Sequence, residues 1–530
     1  MHYLAEIKIK NTSGQMSTLE RSSGDLSSRL IKPDISLLFT KLNKYLSGEH
    51  IQAYVVGGFV RDALLDRETA DIDIAVAGDS LRIASNVASA FGGKYVLLDK
   101  VNRIGRVILA DREATEAGRQ WEIDFSSFSG SIEQDLAQRD FTIDAMAIEL
   151  GRLAAGGPDT QIRDPFGGLN DLRQGVIRVV SQTALPSDPV RLLRGVRLAY
   201  ELGFSLDGEA EALIRHYSSL VSEVAGERVR EELLRLLAIP QAEGLLFHLD
   251  KLGLLTSIIP ELAREKGVEQ PKEHFWNVFD HSLMTVAAVD FLLRRGSWEY
   301  ANAEVLAAIP WSGALGEHFN HEVSSGSTRR VMLKAAALLH DLAKPQTKTI
   351  EANGRVRFLG HAKQGAVITA GILERLRFTS REKKLVATMV EHHLRPTQMS
   401  QNELPSPRAI YRYFRDTAEA GIDILFLSLA DHLATRGPHL KLANWREHTR
   451  LVDYVLAKRF EEQSLPQSPK LISGHDLIKA FSFKPGPKIG ELLEAVREAQ
   501  AAGELSTREE ALAYVSQRLK VKDERYDQKK

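Results

Sequence analysis

The spacing of apolar residues predicts alternating helices and strands between residues 35 and 125, and mainly helices further on. Apolar residues recur at helical spacing over 35–46, 59–65 and 80–91. Short β-prone runs lie at 54–56, 70–76, 95–98, 106–109 and 121–125. The pattern therefore predicts an α+β, mostly α-helical protein with one small mixed sheet near its start.

The predicted strand at 70–76 carries two carboxylates on one face. Asp71 and Asp73 are two residues apart, so their side chains project together, while Ile72 and Ile74 project to the other face. Two like charges this close repel each other unless a hard cation such as Mg²⁺ binds both. Asp124, among the apolar residues of a later strand, is a candidate third ligand, although it suits an exposed strand edge equally well.

A glycine turn precedes these carboxylates in the chain. Gly57 and Gly58 end one strand and open a helix, whose free amides and positive dipole end suit a phosphate, and Arg61 would stand beside them. A plain turn and an exposed acidic strand edge explain each feature taken singly. Joined in this order, the two features favour transfer of a nucleotide from a nucleoside triphosphate.

Composition places the chain among ordinary globular proteins. Its 530 residues suffice for three or four domains, and 43% hydrophobic residues provide ample core. The net charge of −1 neither supports nor excludes a nucleic-acid partner. The absence of cysteine excludes disulfides and thiolate metal sites, and residues 1–33 hold no apolar run that suits a signal peptide or membrane span. We therefore expect a cytoplasmic protein without membrane contact.

Five ordered motifs between residues 53 and 237 resemble a known family. They read GGFVRDALL with DIDIAV, DLAQRDFTIDAMA, DPFGGLNDLRQGVIR, DPVRLLRGVRLAYELGF and ERVREELLRLL. The set resembles the class II bacterial tRNA nucleotidyltransferases that add CCA, and their relatives the A-adding enzymes and bacterial poly(A) polymerases. The resemblance implies a polymerase-β-type nucleotidyltransferase head with a small mixed β-sheet, followed by a helical neck.

The same resemblance implies roles for residues of the head. Asp71 and Asp73 would hold Mg²⁺, whereas Asp124 is a candidate catalytic carboxylate from its place in the predicted strand alone. The residues that would contact the triphosphate and sugar of the nucleotide are Gly57, Gly58, Arg61, Arg139 and Asp140. Asp144 departs from the family, which usually has asparagine there, and its extra negative charge near the triphosphate needs a partner.

The helix start at 187–200 allows two interpretations of one carboxylate. By local rules Asp188 is an N-cap, followed by Pro189 at the first helical position. By the resemblance, Asp188 and Arg191 read the incoming base. The carboxylate would accept from the amino group of C or A, and the guanidinium would donate to the adjacent ring nitrogen. The site should then reject U and G.

Arg194 and Arg197 continue along the same helix. They are interpreted as contacts to nucleotide phosphate or RNA, with a solvated helix face as the alternative. The following helical motif, ERVREEL, alternates in charge and is neither basic nor aromatic. Composition alone therefore predicts no RNA-binding groove on that motif.

A second cluster of candidate ligands lies in the C-terminal half of the chain. Its members are His281, the adjacent pair His340 and Asp341, then His361, His393 and Asp431. Imidazole and carboxylate bind divalent transition metals or Mg²⁺, and this order resembles the HD phosphohydrolase superfamily. The resemblance implies a metal (Mn²⁺, Ni²⁺, Fe²⁺ or Mg²⁺) held by His281, His340, Asp341 and Asp431. His361 and His393 would serve the substrate or a second metal. Such a domain would hydrolyse phosphoesters, unless its helices persist only as scaffold.

Residues 296–330 interrupt the segment between these ligands. Because they are rich in Gly, Ser and polar residues, we expect an inserted loop with some helix. His318 and His321 have ligand-like spacing, but without a third ligand in view they are interpreted as surface residues. The C-terminal segment, in which KPGPKIG opens a helix, resembles the helical tail of the same transferases.

These observations predict five segments and one main reaction. The segments are a flexible tail (1–34), a nucleotidyltransferase head (35–175), a neck that binds nucleotide and RNA (176–268), an all-α HD domain (269–460) and a helical tail (461–530). The reaction is attack of a tRNA or other RNA 3′-hydroxyl on the α-phosphate of CTP or ATP, with release of pyrophosphate. CCA addition ranks first, A-addition second and poly(A) tailing third. The competing classes are an HD hydrolase with a degenerate head and an RNA-binding protein without catalysis, and the oligomeric state stays open.

Overall fold

The computed structural model of the chain describes residues 33–110, 120–155, 161–399, 404–464 and 470–527. The predicted N-terminal tail lies almost entirely outside these ranges. The chain divides into two compact units, Met1–Glu232 with His248–Ile258, and Leu233–Phe247 with Ile259–Lys530. Helices dominate both units and one mixed sheet lies in the first, which confirms the predicted fold class. The boundaries of the five predicted segments stay predictions.

The first unit contains a seven-stranded sheet. Its strands are β1 Ala53–Val56, β2 Asp71–Ala77, β3 Lys94–Asp99, β4 Ile104–Ala110, β5 Gln120–Phe128, β6 Ala147–Glu149 and β7 Ile162–Arg163. They lie in the order β3-β4-β5-β2-β1-β6-β7, and β2 and β5 are the parallel neighbours among otherwise antiparallel pairs. The central position of β2 fixes the carboxylates it carries.

Helices flank the strands of the sheet and form the neck. They are α1 Pro33–Gly48, α2 Gly58–Leu64, α3 Ser80–Phe91, α4 Ile132–Leu136, α5 Leu150–Ala155, α6 Gly168–Gln174, α7 Val190–Leu202, α8 Gly208–Tyr217, α9 Gly226–Ala238, α10 Ala242–Lys251 and α11 Leu254–Ile258. The short strands β8 Val176–Ile177 and β9 Ser205–Leu206 pair in parallel beside α7. A 3₁₀ turn at Ser218–Glu223 lies between α8 and α9.

Alternation along β2 confirms the predicted orientation of its side chains. Ile72 and Ile74 are fully buried, whereas Asp71 is exposed and Asp73 is half-buried. The neighbouring strand β1 is buried along its whole length, because sheet and helices cover both of its faces. The apolar face anchors the strand, so the acidic face is held at the surface of a rigid sheet.

The second unit is almost wholly helical. Its helices are α12 Val278–Leu292, α13 Ala303–Ala307, α14 Gly313–Asn320, α15 Arg329–Leu339, α16 Lys344–Thr347, α17 His361–Arg375, α18 Ser380–His392, α19 Arg395–Gln398, α20 Pro407–Thr417, α21 Gly421–Arg436, α22 Leu442–Ser464, α23 Gly474–Phe481, α24 Pro487–Ala501 and α25 Arg508–Asp527. Two hairpins accompany them, β10 Glu322–Ser324 with β11 Ser327–Thr328, and β12 Lys348–Ile350 with β13 Val356–Phe358. None of the helices in the described ranges is long and apolar enough to cross a membrane.

The inserted segment 296–330 consists largely of regular secondary structure, whereas the sequence predicted a loop with some helix. It forms α13, α14 and the β10–β11 hairpin, and the buried residues Leu315 and Phe319 anchor α14 in the core. The ring of Phe319 packs edge-on against Phe426 of α21, with centroids 4.7 Å apart. Helices α23, α24 and α25 form a core of their own around Leu477 and Val496.

Candidate functional sites

The acidic residues of the head lie on neighbouring strands. The parallel register of β2 and β5 places Asp73 beside Asp124 and Asp71 beside Glu122. Burial raises the pKa of Asp73 to about 6, and repulsion from Asp124 adds to the shift although Arg139 opposes it. Because the ionised form of Asp73 is disfavoured, a cation bound beside it would be strongly stabilising.

Asp124 is already engaged by an arginine. Arg106 lies opposite it on β4, and its Nε and Nη2 donate to the two carboxylate oxygens at 2.7 and 2.8 Å. A metal site needs several ligand atoms close together. Within the described ranges, only HD residues form groups of three or more His, Asp or Glu whose ligand atoms lie within 4.8 Å of one another. The structure therefore does not gather Asp124 with Asp71 and Asp73 into one metal shell.

The glycine turn touches both the acidic strand and a predicted triphosphate contact. Gly57 has a φ of +70°, which favours glycine, and it immediately precedes α2. A Cβ atom added at Gly57 would lie 3.0 Å from Arg139 Nη1 and 3.1 Å from Asp73 Oδ2. Gly58 similarly faces Arg61, whose Nη2 would lie 3.4 Å from an added Cβ. The turn, the carboxylate and the two arginines therefore share one small space.

Asp144, the departure from the family pattern, has a partner. Its Oδ1 accepts from Arg61 Nη1 at 2.6 Å, and the rest of that guanidinium donates to Asp62 at 3.0 and 2.9 Å. Burial raises the pKa of Asp144, and Arg61 opposes this shift. The extra negative charge is thus neutralised by the arginine that the sequence assigns to the triphosphate.

Arg139 and Asp140 take different partners. Arg139 Nη2 donates to Asp135 at 3.2 Å, one helical turn earlier. Asp140 is buried and accepts from Arg194 Nη1 of α7 at 2.9 Å. Burial opposes ionisation of Asp140, but Arg194 and Arg191 outweigh it and lower its pKa. The Asp140 carboxylate is therefore held ionised by the neck helix.

Asp188 does not cap α7, so the N-cap interpretation is wrong. Pro189 occupies the N-cap position without a side-chain hydrogen bond, and the carboxylate of Asp188 turns instead to Arg228 of α9. That contact is bidentate, at 2.9 and 2.8 Å, and a two-pronged ionic contact competes well with a single capping bond. Arg191 donates to the carbonyl oxygens of Ala184 and Gln138 at 2.9 and 3.1 Å.

Arg228, the partner of Asp188, is a residue that the sequence reasoning missed. It lies in the motif ERVREEL, which composition marked only as a surface of alternating charge. Its position in the fifth family motif was the available signal. Its partner Asp188 lies forty residues away, and the contact between them depends on how α7 and α9 pack.

Arg194 and Arg197 belong to an ion-pair network, so the solvated-face alternative is wrong. Arg197 is buried and donates to Glu232 at 2.7 Å and to Glu201 at 2.6 Å. Arg194 is partly exposed and joins Asp140 to Glu232, with its Nε 3.5 Å from the Glu232 carboxylate. The network ties the head segment around residue 140 to the two neck helices α7 and α9.

The six HD residues converge in the second unit. His281 lies in α12, His340 and Asp341 follow α15, His361 begins α17, His393 follows α18, and Asp431 lies in α21. His281 Nε2 is 3.1 Å from Asp431 Oδ1, 3.3 Å from His340 Nε2 and 3.5 Å from Asp341 Oδ2. Nitrogen and carboxylate donors at these separations, all buried except the partly exposed Asp431, fit a divalent metal ion.

Backbone carbonyls orient three of the imidazoles. The Nδ1 atoms of His340, His361 and His393 donate to the carbonyl oxygens three residues earlier, at 2.8, 2.6 and 2.7 Å. Each Nε2 is thereby left facing the cluster, as in a histidine prepared for metal binding. Burial lowers the pKa of His281 and His361, and lowers that of His393 to about 3, so these rings are neutral.

Lys344 is a second residue that the sequence reasoning missed. Its Nζ lies 2.6 Å from Asp341 Oδ2 and donates to Gln270 Oε1 at 2.6 Å. Burial would raise the pKa of Asp341, but His340 and Lys344 outweigh it and hold that pKa well below its usual range. A lysine three residues after Asp341, in an otherwise apolar stretch, was the signal in the sequence.

His318 is not the surface residue that the sequence predicted. It is half-buried, and its Nε2 lies 3.3 Å from a carboxylate oxygen of Asp423, a fully buried residue that also accepts from Arg329. His321 is exposed, as predicted. His318 therefore helps to fix the inserted segment on α21.

Four family models match the chain in succession. A Poly A polymerase head domain model matches residues 53–178, an RNA-binding-site model of polymerase A residues 203–266, an HD domain model residues 305–436 and a tRNA nucleotidyltransferase domain model residues 442–515. The HD match begins after His281, which the fold joins to the other ligands. The matches and the two sites define the class of protein, a metal-dependent nucleotidyltransferase with an HD domain.

Two relatives of similar length identify the family. The A-adding tRNA nucleotidyltransferase of Deinococcus radiodurans is 32% identical over 469 residues, which cover 87% of this chain and 94% of that one. The CC-adding tRNA nucleotidyltransferase of Thermus thermophilus is 34% identical over 473 residues, 87% of this chain and 93% of that one. The chain belongs to the tRNA nucleotidyltransferase family and is an enzyme of that class.

A solved structure supports the fold. The Thermotoga maritima CCA-adding enzyme complexed with tRNA aligns with a TM-score of 0.56 and 23% identity, covering 93% of this chain and 98% of that chain. The similarity therefore extends over the head, the neck and the helical C-terminal half.

Proposed function

We propose that this enzyme builds the CCA end of tRNA in the cytoplasm, adding C and A from CTP and ATP. The observation that carries the proposal is the acidic pair Asp71 and Asp73 beside the Gly57 turn, in a family with both A-adding and CC-adding members. The proximity of the Gly57 turn to Asp73 and Arg139 supports an intact head over a degenerate one.

In the proposed site, a few side chains and backbone amides would bind the metal and orient the triphosphate. Asp71 and Asp73 would hold Mg²⁺, which needs only one or two carboxylates when triphosphate oxygens and water complete its shell. Such an ion stabilises the charge that develops when an RNA 3′-hydroxyl attacks the α-phosphate. The amides after Gly57, with Arg139, would orient the triphosphate. Asp124, held by Arg106, would act electrostatically on Asp73.

Selection of the base is assigned to Asp188 and Arg191. Asp188 keeps lone pairs free despite its contact with Arg228, because an ionised carboxylate has about four acceptor positions. It can therefore accept the amino group of C or A. Arg228 would be a positioning residue for Asp188, and buried Arg197 a supporting residue rather than a nucleotide contact.

Three tRNA transcripts test the reaction directly. They end before, within and after the CC, and each is offered CTP, ATP, UTP and GTP in turn. We expect C on the first two and A on the third. Addition of A alone would indicate an A-adding enzyme, and addition of C alone a CC-adding enzyme; either result would contradict full CCA addition. Runs of A added to unrelated RNA would indicate poly(A) tailing.

Changing Asp188 to Asn tests base selection. We expect discrimination against UTP to fall at least about tenfold, because an amide can donate to O4 and accept from the ring N3–H. The measurement is the ratio of kcat/KM values for CTP and UTP. The matched control is Arg215→Gln, which removes an exposed ion pair on α8. Unchanged discrimination in Asp188→Asn would remove the base-reading role.

The geometry of the HD cluster favours a second activity. We propose that a divalent metal bound by His281, His340, Asp341 and Asp431 supports phosphoester hydrolysis independently of the head. Its chemistry would be polarisation of the phosphoryl group and activation of water. Lys344 would hold Asp341 in place through Oδ2, the carboxylate oxygen that also faces His340 and His281. Hydrolysis of bis(p-nitrophenyl) phosphate with added Mn²⁺ tests this proposal.

A further inference from the structure

Arg61 and Arg139 both lie against the glycine turn of the proposed triphosphate site. An added Cβ atom at Gly57 would lie 3.0 Å from Arg139 Nη1, and one at Gly58 would lie 3.4 Å from Arg61 Nη2. The two side chains nevertheless differ in their partners. Among the residues that the structure describes, Arg139 donates only to the carboxylate of Asp135, at 3.2 Å. Most of its N–H groups are therefore available to a ligand.

The guanidinium of Arg61 is enclosed by two carboxylates. Its Nε and Nη2 atoms donate to Asp62 at 3.0 and 2.9 Å, and its Nη1 atom donates to Asp144 at 2.6 Å. Every nitrogen of the group is therefore engaged, and one positive charge meets two negative charges. When both carboxylates are ionised, the three groups together are negative, so they repel a polyphosphate instead of attracting it.

The charge of Asp144 acts close to the proposed metal ligands. Asp144 is buried, where water and salt screen a charge much less than at the surface. Burial raises the pKa of Asp73 to about 6, although Arg139 opposes the shift. Repulsion from Asp124 and then from Asp144 adds to that shift. A negative charge at residue 144 therefore favours binding of Mg²⁺ and disfavours binding of phosphate groups.

We propose that Asp144 lowers the affinity of the head for polyphosphates by keeping Arg61 paired with two carboxylates. The inference rests on the proposed function, because it assigns a role to a residue beside the same triphosphate site. The ligands concerned are the triphosphate of CTP or ATP before the reaction and pyrophosphate after it. Both bind through phosphate groups, so Asp144 would raise the KM for the nucleotides and speed the release of pyrophosphate.

Calorimetric titration with inorganic pyrophosphate tests this role without RNA or a nucleotide. The full-length protein is titrated at a Mg²⁺ concentration that saturates the head. We expect Asp144→Asn to bind pyrophosphate about five- to tenfold more tightly, because it removes one buried charge and keeps the shape of the side chain. The KM for CTP in tRNA extension should fall by a similar factor. Adding Arg61→Gln to Asp144→Asn should remove the gain, because the released guanidinium is then absent.

Asp66→Asn is the matched control, because it removes a charge from an exposed position just beyond α2 and should leave the affinity unchanged. If Asp144→Asn fails to fold, Asp62→Asn removes the other carboxylate from Arg61 and should give the same gain. Unchanged or weaker binding by the folded variant would overturn the role of Asp144. A gain that survives Arg61→Gln would overturn the part assigned to Arg61. Neither result would affect the proposed CCA addition, whereas a wild-type protein that binds no pyrophosphate would overturn the proposed triphosphate site itself.

Discussion

Replacing Asp73 by asparagine is expected to lower nucleotide addition by about three orders of magnitude. Loss of a ligand to the catalytic metal costs several kcal/mol of transition-state stabilisation, and each 1.36 kcal/mol corresponds to about tenfold in rate. Asp73 lies in register with Asp124 and next to the Gly57 turn, so the change acts at the centre of the head site. Single-turnover incorporation of labelled CMP into tRNA measures the loss.

The fold should tolerate this substitution. Asparagine has the shape of aspartate, and the raised pKa of Asp73 means that its charge destabilises the metal-free fold above about pH 6. The unfolding midpoint in chelator at pH 7.5 should therefore stay the same or rise. Asp66→Asn is the control, because Asp66 is exposed and has a φ of +54° that asparagine accepts well. Near-normal addition by the Asp73 variant would refute the metal role.

Replacing Asp341 by asparagine is expected to remove metal-dependent phosphoester hydrolysis, with nucleotide addition kept within about twofold. The carboxylate oxygens of Asp341 lie within 4.0 Å of the Nε2 atoms of all four imidazoles of the cluster. No candidate ligand of the head belongs to its unit. Losing a metal ligand should again cost about three orders of magnitude in hydrolysis. Both activities are measured on one preparation, together with its metal content.

Stability is a separate readout for this variant. Removing one partner of a buried ion pair costs about 3 kcal/mol or more, because Lys344 would stay buried without its counter-ion. His340→Gln avoids that loss and should abolish hydrolysis with a smaller change in the unfolding midpoint. The control is Asp453→Asn, an exposed carboxylate on α22. If both site variants keep wild-type hydrolysis, the HD cluster is scaffold.

The sequence predicts the local features of the head well, because local periodicity determines them. Alternation of Ile72 and Ile74 with the two aspartates is enough to orient β2, and the helix at 80–91 has the bounds that its spacing predicts. Contacts between side chains that are far apart in the sequence are not determined by local periodicity. The N-cap interpretation of Asp188 failed because a local rule cannot detect Arg228 on another helix.

Long-range pairing also explains the other residues that sequence reasoning left open or misplaced. Asp144 is unfavourable near a triphosphate until Arg61 is seen to bind it. His318 lacks a partner until α21 brings Asp423 to it. For the HD residues the order along the chain indicated the cluster, but only the packing of α12, α17, α18 and α21 shows which carboxylate oxygen faces which imidazole.

The ion-pair network between head and neck limits where this chain can be recombined with a relative. The head match ends at residue 178, yet Asp140 of the head is neutralised by Arg194 of the neck, which in turn contacts Glu232. The ring of Phe141 also fills the space that a side chain at Gly195 would occupy, 2.7 Å from an added Cβ. A recombination event at the edge of the head would leave a buried charge without its partner and bring mismatched side chains together. Viable chimeras of this chain with a relative should therefore join the two parents beyond Glu232, so that head and neck are inherited together.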